Sequence, residues 1–297
     1  MTSKEIDYSA PPGEYQVAFQ SNFSLRLLYD ERYEDCIMHR HDFYELTLVV
    51  SGAAKHLTST DSYPIGKGDV FLIKPGESHG YSNIDQLELI NILYRPERLR
   101  LPIGDLANSV GYRVLFELEP AARFNEGAMS HLQLDDATLT EAKRQSERIR
   151  YALYEETMPG HLFKSELFFL ELVTMLSDYF SMVQLVSEDH SNIFHLGKMI
   201  SFLESSYMKN IEIPNMEKLF GFSHSKLYRL FIRGTGISPK GYLQKIRLGH
   251  AQNLLLNSDL AVSDIARMCG FADSNYFTRT FRLHFGISPR DFRRNKR

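Results

Sequence analysis

Cysteine is scarce in this sequence and long apolar runs are missing. Only Cys36 and Cys269 occur among 297 residues, one in each half and neither in a Cys-x-x-Cys pair, which excludes a disulfide framework and fits a reducing compartment. No stretch approaches the roughly 18 apolar residues of a membrane span, and the N-terminus carries no basic segment leading into an apolar one. A cytoplasmic chain with no membrane partner is expected. Acidic residues are sparse at one end only. Residues 193–297 hold 7 Asp+Glu against 17 Lys+Arg, a net of +10, whereas residues 1–192 hold 30 against 17, a net of −13. The overall charge of −3 conceals this segregation, which makes the basic third a candidate for binding a polyanion. With 43% hydrophobic and 24% charged residues, the chain can build cores for two domains.

Residues 1 to about 110 read as short strands, "FSLRLLY", "YELTLVV", "DVFLIK" and "LELINILY", separated by turn segments such as "YPIGKGD" and "KPGESHG". Many short strands at close spacing predict a small barrel or sandwich. From about residue 136 the pattern turns helical, with a stop and restart at Met158-Pro159-Gly160. In the second of these helices, Leu162, Phe163, Glu166, Leu167, Leu170, Val173 and Leu176 recur at mostly three- and four-residue steps, with Phe169 and Leu172 widening the stripe, which suits packing or a dimer seam. The polar stretch "VSEDHSN" (186–192) reads as a linker.

An internal echo follows. "GFSHSKLYRLFIRGTGISPK" and "GFADSNYFTRTFRLHFGISPR" share leading Gly-Phe pairs 49 residues apart, while Arg229/Arg279 and Phe231/Phe281 are 50 apart, so the second copy carries one inserted residue. A repeated sequence implies a repeated structure. In each copy a short helix ends at a glycine, Gly221 or Gly270, which can adopt the left-handed turn conformation. Ser223 or Asp273 then caps a second helix. The outer face of that helix carries Ser225, Lys226, Arg229 and Arg233 in the first copy, and Ser274, Asn275, Arg279 and Arg282 in the second. Arginine and asparagine can contact base edges bidentately, and serine can bond phosphates. The pattern is a double helix-turn-helix. Between the copies, residues 238–257 form a helical rod of about 30 Å, close to the 34 to 36 Å of one DNA turn.

Residues 193–297 closely resemble the DNA-binding domain of AraC/XylS-type transcriptional regulators, most specifically in "IARMCGFADSNYFTRTFRLHFGISPRDFRR". The resemblance implies base contacts from Ser225, Tyr228 and Arg229 in the first unit and from Asp273, Ser274, Asn275 and Arg279 in the second. Ser223, Lys226, Arg233, Tyr276 and Arg282 complete the expected DNA-contact set. "DSN" at 273–275 is similar to the corresponding stretch of rhamnose-operon regulators.

The N-terminal half has its own motif. In "HRHDFYELTLVVSG", His39, His41 and Glu45 share one parity, so on a single strand they project to one face. A later "GKGDVFLIKPGESHGYSN" adds His79. Three imidazoles and a carboxylate can hold Zn, Ni, Fe or Mn, and the pair of motifs resembles those of metal-binding cupins. The same groups can instead bond one another or a polar ligand inside an apolar barrel. "HDFYEL" and "INILYRPERL" are also similar to sensor domains of rhamnose-type regulators. That resemblance implies a sugar effector, with Arg26, Tyr44, Glu45 and Tyr81 added to the histidines as candidate ligand contacts.

The expected fold is α+β. It comprises a cupin-like barrel (1–135), a helical dimerisation hairpin (136–185), a linker (186–192) and an all-α double helix-turn-helix domain (193–297). The expected function is a ligand-responsive, DNA-binding activator of a carbohydrate-utilisation operon, homodimeric and contacting RNA polymerase. It is not expected to be an enzyme, since a catalyst that consumes its ligand reports occupancy poorly. The alternatives are a metal-dependent cupin enzyme tethered to DNA and a constitutive repressor with a dimerisation-only barrel.

Overall fold

A computed structural model of the protein describes residues 5–7, 15–18, 23–32, 34–59, 61–100, 106, 109–118, 132–155, 157–182 and 188–296. The chain divides into two compact units, 1–191 and 192–297.

The first unit is built on one nine-stranded sheet. Its strands are β1 (Glu5–Asp7), β2 (Tyr15–Ala18), β3 (Leu25–Arg32), β4 (Cys36–Arg40), β5 (Tyr44–Thr58), β6 (Ser62–Gly66), β7 (Asp69–Ile73), β8 (His79–Tyr94) and β9 (Leu132–Gln133). The long strands β5 and β8 form its spine, and each pairs with different partners along its length. Residues opposed across paired strands share a face. Glu45 and Arg26 both oppose Leu93, and Thr47 opposes Asn91 and Phe71, so these residues line one face. The apolar part of this inner face is a cluster containing Val49, Ala54, Tyr63, Phe71, Ile73, Tyr81 and Leu89.

The other face meets the helical hairpin. Helix α1 (Val110–Arg113) precedes α2 (Asp136–Tyr154) and α3 (His161–Met182). Asp135 caps α2 by accepting from the Thr138 amide at 2.8 Å. Glu171 of α3 accepts from Gln145 and Arg148 of α2, and Phe169 packs on Tyr94 of β8. The stripe expected on α3 is buried along one side of its width and exposed along the other. Glu166, Phe169, Leu172, Val173, Leu176 and Phe180 are buried, whereas Leu162, Phe163 and Leu167 are exposed. A charged residue turns inward because it is fully paired. Glu166 accepts from Ser24 Oγ (2.8 Å), from the Arg100 amide (2.8 Å) and from the Arg100 guanidinium (3.0 Å). Glu166→Ala removes the acceptor for all three donors and is expected to cost about 2 to 3 kcal/mol, read as a lower urea midpoint for the first unit.

In the second unit, α4 (Glu188–Ser206) is followed by α5 (Ile213–Phe220), α6 (His224–Thr235), α7 (Pro239–Asn257), α8 (Val262–Met268), α9 (Ser274–Phe285) and α10 (Pro289–Lys296). The boundary between the two units, at Ser191 and Asn192, falls inside the linker expected at 186–192. Residues 188–192 are helical, while 186 and 187 lie outside the described residues. No proline interrupts this segment, so a helix can run through it.

Two helix-turn-helix units result, α5–α6 and α8–α9, joined by α7. Gly221 (φ 71°) and Gly270 (φ 81°) make the turns. Their insertion is now located. The glycines are 49 residues apart but the caps Ser223 and Asp273 are 50 apart, so the extra residue, Ala272, sits in the second turn. Both α6 and α9 keep 12 residues. In the second unit Phe271, Phe277, Phe281 and Phe292 pack with Leu248, Leu255, Ile265 and Cys269; burial pushes the Cys269 thiol up to about 11. From the middle of α7, Arg247 donates to the Tyr207 carbonyl (2.8 Å) and the Lys209 carbonyl (2.9 Å). These bonds fasten the connecting helix to the chain that follows α4.

Candidate functional site

The basic unit presents two similar surfaces. On α6, Leu227, Leu230 and Phe231 are buried, which leaves Ser225, Tyr228, Arg229 and Arg233 exposed and Lys226 half-buried. On α9, Phe277, Thr280 and Phe281 are buried, and Ser274, Asn275, Tyr276, Arg279 and Arg282 are exposed. The structure gives Ser223 and Asp273 a capping duty. Ser223 Oγ accepts from the Lys226 amide at 3.4 Å. The Asp273 carboxylate accepts from the Asn275 amide at 2.8 Å and the Tyr276 amide at 3.3 Å. A cap fixes where the helix begins and so sets which residues face outward. Arg229 and Arg279 occupy equivalent positions, each six residues beyond its cap, but their neighbours differ. The Arg279 guanidinium lies over the Tyr276 ring (5.6 Å), while in the first unit the residue matching Tyr276 is Lys226, whose ammonium lies over Phe222 (4.7 Å). Two such faces, of the same build and different chemistry, suit a site whose halves differ in sequence.

α7 spans 19 residues, about 28 Å at 1.5 Å per residue. Pro239 opens it and Ser238 Oγ caps it by accepting from the Gly241 amide at 3.1 Å.

The sensor motif folds differently from the single strand expected for "HRHDFYE". β4 ends at Arg40 and β5 begins at Tyr44, so His39 is the last residue but one of the first strand, His41 sits in the corner and Glu45 is the second residue of the next strand. Arg95 holds the corner by donating to the Asp42 carbonyl (2.9 Å) and carboxylate (2.7 Å). The ligand atoms nonetheless converge. His41, Glu45 and His79 each offer an atom within 4.8 Å of the others, all buried. His41 Nε2 lies 3.2 Å from the Glu45 carboxylate, and its Nδ1 is 2.8 Å from the Phe43 carbonyl. The Thr47 hydroxyl donates to Glu45 at 3.4 Å. The His39 ring is 4.1 Å from that of His79, centroid to centroid, but His39 stands outside the converging trio. Its Nδ1 is 3.2 Å from the Ile37 carbonyl.

Burial lowers the His79 pKa well below the ordinary value, with help from the charges that His39, His41 and His56 would carry. The Glu77 carbonyl opposes that shift weakly, yet neither ring nitrogen of His79 has an aligned hydrogen bond among the described residues. A neutral imidazole with open nitrogens beside a carboxylate is a donor set that suits a divalent metal or a hydroxyl-bearing ligand.

Of the other sensor candidates, Tyr81 is buried against this cluster, its ring 6.3 Å from that of His79. Arg26 shares the inner face and stacks over Phe23 at 5.1 Å. Phe23 in turn meets Phe43, which stacks on His41. Tyr44 is corrected: it precedes Glu45 by one residue and therefore faces the opposite side, where its ring stacks with Tyr94 at 5.3 Å. Sequence reasoning missed His56, Tyr63, Thr47 and Asn91. His56 Nδ1 is 2.6 Å from the Tyr63 hydroxyl, and its ring lies 6.0 Å from that of His79. All four are buried on the inner face.

Comparison with known proteins matches these two halves separately. Residues 25–149 match a family model described as an AraC-like ligand binding domain, and residues 216–295 match a helix-turn-helix domain model. Over most of its length the chain is similar to the HTH-type transcriptional activator RhaS. It is 31% identical to the Escherichia fergusonii protein over 259 residues and 32% identical to the Klebsiella pneumoniae protein over 260, covering 87% of each chain in both cases. The chain belongs to the AraC family. Like other AraC-family regulators it is a DNA-binding transcription regulator with a ligand-binding domain. An AraC-type regulator from Chromobacterium violaceum of known structure is 29% identical, with a TM-score of 0.33, covering 34% of this chain and 91% of that one. Among the described residues of this AraC-family chain, no helix is long and apolar enough to cross a membrane.

Proposed function

We propose that this protein activates a carbohydrate-utilisation operon in response to a sugar bound inside the N-terminal sheet. The observation that carries the reading is the buried polar cluster of His41, Glu45, His79, Thr47 and Asn91, with His56 nearby, beside the apolar part of the inner face, joined in one chain to two DNA-reading helices. Buried hydrogen-bonding groups are retained where they have a partner, and sugar hydroxyls supply both donors and acceptors. The relatives named RhaS are activators, which supports the direction of regulation. Arg229 and Arg279 read bases with Asn275; Lys226, Arg233 and Arg282 hold the backbone. Ligand shifts the protein between states only by binding one of them more tightly. The exposed Leu162, Phe163 and Leu167 of α3 supply an apolar face for a homodimer, and RNA polymerase is the remaining partner of an activator.

Fluorescence anisotropy on a duplex from the region upstream of its own gene, at fixed salt, tests the reading across a panel of monosaccharides. One sugar is expected to shift the dissociation constant; specific binding that no sugar alters would favour the constitutive repressor. His41→Ala is expected to abolish the sugar-dependent shift while leaving sugar-free DNA affinity within about twofold. The opposite pattern would make His41 a core residue.

His41, Glu45 and His79 are also the residues that would hold a divalent metal. The His41 Nδ1 contact with the Phe43 carbonyl leaves Nε2 available, as a metal-ligating imidazole requires. A bound Zn, Ni, Fe or Mn would supply a Lewis acid to orient ligand hydroxyls. No cofactor is required by this reading, and elemental analysis of protein purified without chelator decides the point: one metal per chain, lost on His79→Ala, would assign the site. Metal-free protein with an intact sugar response would remove the metal from the reading.

A further inference from the structure

The two reading helices do not exhaust the basic unit's features. A cavity of about 450 Å³ lies among the chain after α4, the start of α5, the first half of α7 and the start of α9. It runs from Ile213 and Met216 of α5, along Lys240, Gln244 and Arg247 of α7, to Phe271 and Tyr276. Tyr276 belongs to both features: it lines the cavity and stacks with Arg279 on the reading face of α9. Gln244 Nε2 donates to its hydroxyl at 3.4 Å. Two cations, Lys240 and Arg247, face one carboxylate, Glu212, which is already engaged by Asn210 at 3.3 Å. The Arg247 guanidinium spends Nε and Nη2 on backbone carbonyls, so its charge is fixed in place.

We propose that this cavity seats the DNA sugar-phosphate backbone between the two major grooves, with Lys240 pairing a phosphate and Gln244 and Tyr276 bonding its oxygens. The inference rests on the DNA-reading assignment of α6 and α9. Both helices are joined by α7, about 28 Å long, and neighbouring major grooves are separated by a minor groove walled by phosphates. A duplex engaged by both helices therefore carries a backbone strand across the interval that α7 spans. The concave surface there sets two cations against one carboxylate over an apolar floor, carries side-chain donors, and is joined to the second reading face by Tyr276. Phosphate contacts of this kind fix register without reading sequence.

The test measures dissociation constants for the full-length protein across a salt series, on the upstream duplex and on a scrambled one. Lys240→Ala is expected to weaken binding about three- to tenfold on both duplexes and to reduce the slope of log affinity against log salt by about 0.9, the value for one phosphate. Gln244→Ala should weaken both duplexes without changing the slope. Lys245→Ala, an exposed residue of the same helix that does not line the cavity, should behave as the parent. Parental slope and affinity for Lys240→Ala would overturn the proposal, as would an equal change from Lys245→Ala, which would indicate general charge attraction. Arg279→Ala run in parallel separates the two readings. If it leaves discrimination between the duplexes intact, the reading faces are wrong, whereas a failure confined to Lys240 and Gln244 removes only the backbone seat.

Discussion

Arg279→Ala is expected to reduce affinity for the specific site by about 1 to 3 kcal/mol, and Arg229→Ala by a similar amount. The affinity for scrambled DNA should fall far less. Both side chains are exposed on helices whose opposite faces are buried in phenylalanine and leucine, so truncating them leaves the core untouched. A bidentate arginine contact discriminates between bases through two parallel hydrogen bonds, which alanine cannot replace. Far-ultraviolet circular dichroism should match the parent, and the salt slope should change less than the specificity ratio. Equal specific binding by parent and both variants would show that α6 and α9 are not the reading elements. The two variants should also differ from each other. Arg279 is braced by Tyr276 and stands one turn from Asn275, while Arg229 has Ser225 in that place. Loss of either should relax discrimination at different positions of the site.

Gly270→Ala should be far more damaging than Gly221→Ala, although the two glycines are equivalent in the repeat. Both have positive φ, a conformation that costs a residue with Cβ about 1 to 2 kcal/mol. At Gly221 an added Cβ meets nothing within 4 Å, and the strain is the whole cost. At Gly270 the Cβ falls 2.5 Å from the Tyr207 carbonyl oxygen and 3.0 Å from Arg247 Nε. Those two atoms form the hydrogen bond that fastens α7. The added methyl group must push one of them away, which brings the expected cost to about 3 to 4 kcal/mol. The measurement is the urea midpoint at which specific DNA binding is lost. Equal shifts for the two variants would show that the Arg247 junction is not what makes Gly270 demanding.

The contrast shows where the sequence is readable and where it is not. The repeat, its glycine turns, its caps and its outward arginines all follow from local rules, because capping and helical periodicity act over a few residues. What surrounds Gly270 depends on Tyr207 and Arg247, 63 and 23 residues earlier in the chain, and no local pattern announces it. The sheet repeats the lesson. Period-two alternation places Thr47 and Val49 beside Glu45 and turns Tyr44 away, so parity alone separates Tyr44 from Glu45. His56 was not separable. Register shifts between Val49 and Lys55 change the phase of β5, so that odd residues face inward before them and Ala54 and His56 face inward after them. Gly52 marks the irregularity, since a Cβ there would lie 2.1 Å from the Gln86 carbonyl oxygen. Glu166 misleads in another way. Its position in the stripe was visible, but its inward orientation depends on Ser24 and Arg100, which only the tertiary fold brings to it.

Ala272 bears on how such a chain tolerates changes in length. A residue added inside a helix rotates everything after it by about 100°, and an insertion within α9 would swing Arg279 from the outer surface toward the phenylalanine core. Placed ahead of the Asp273 cap, the additional residue leaves the helix's own numbering intact, because the cap, not the preceding turn, sets its phase. The turn thus works as an expansion joint. Residues can enter or leave there at the cost of a loop adjustment while the order of side chains offered to DNA stays fixed. Variants that lengthen "GFAD" by one further small residue should therefore keep their base preference and alter only the preferred separation of the two halves of the site.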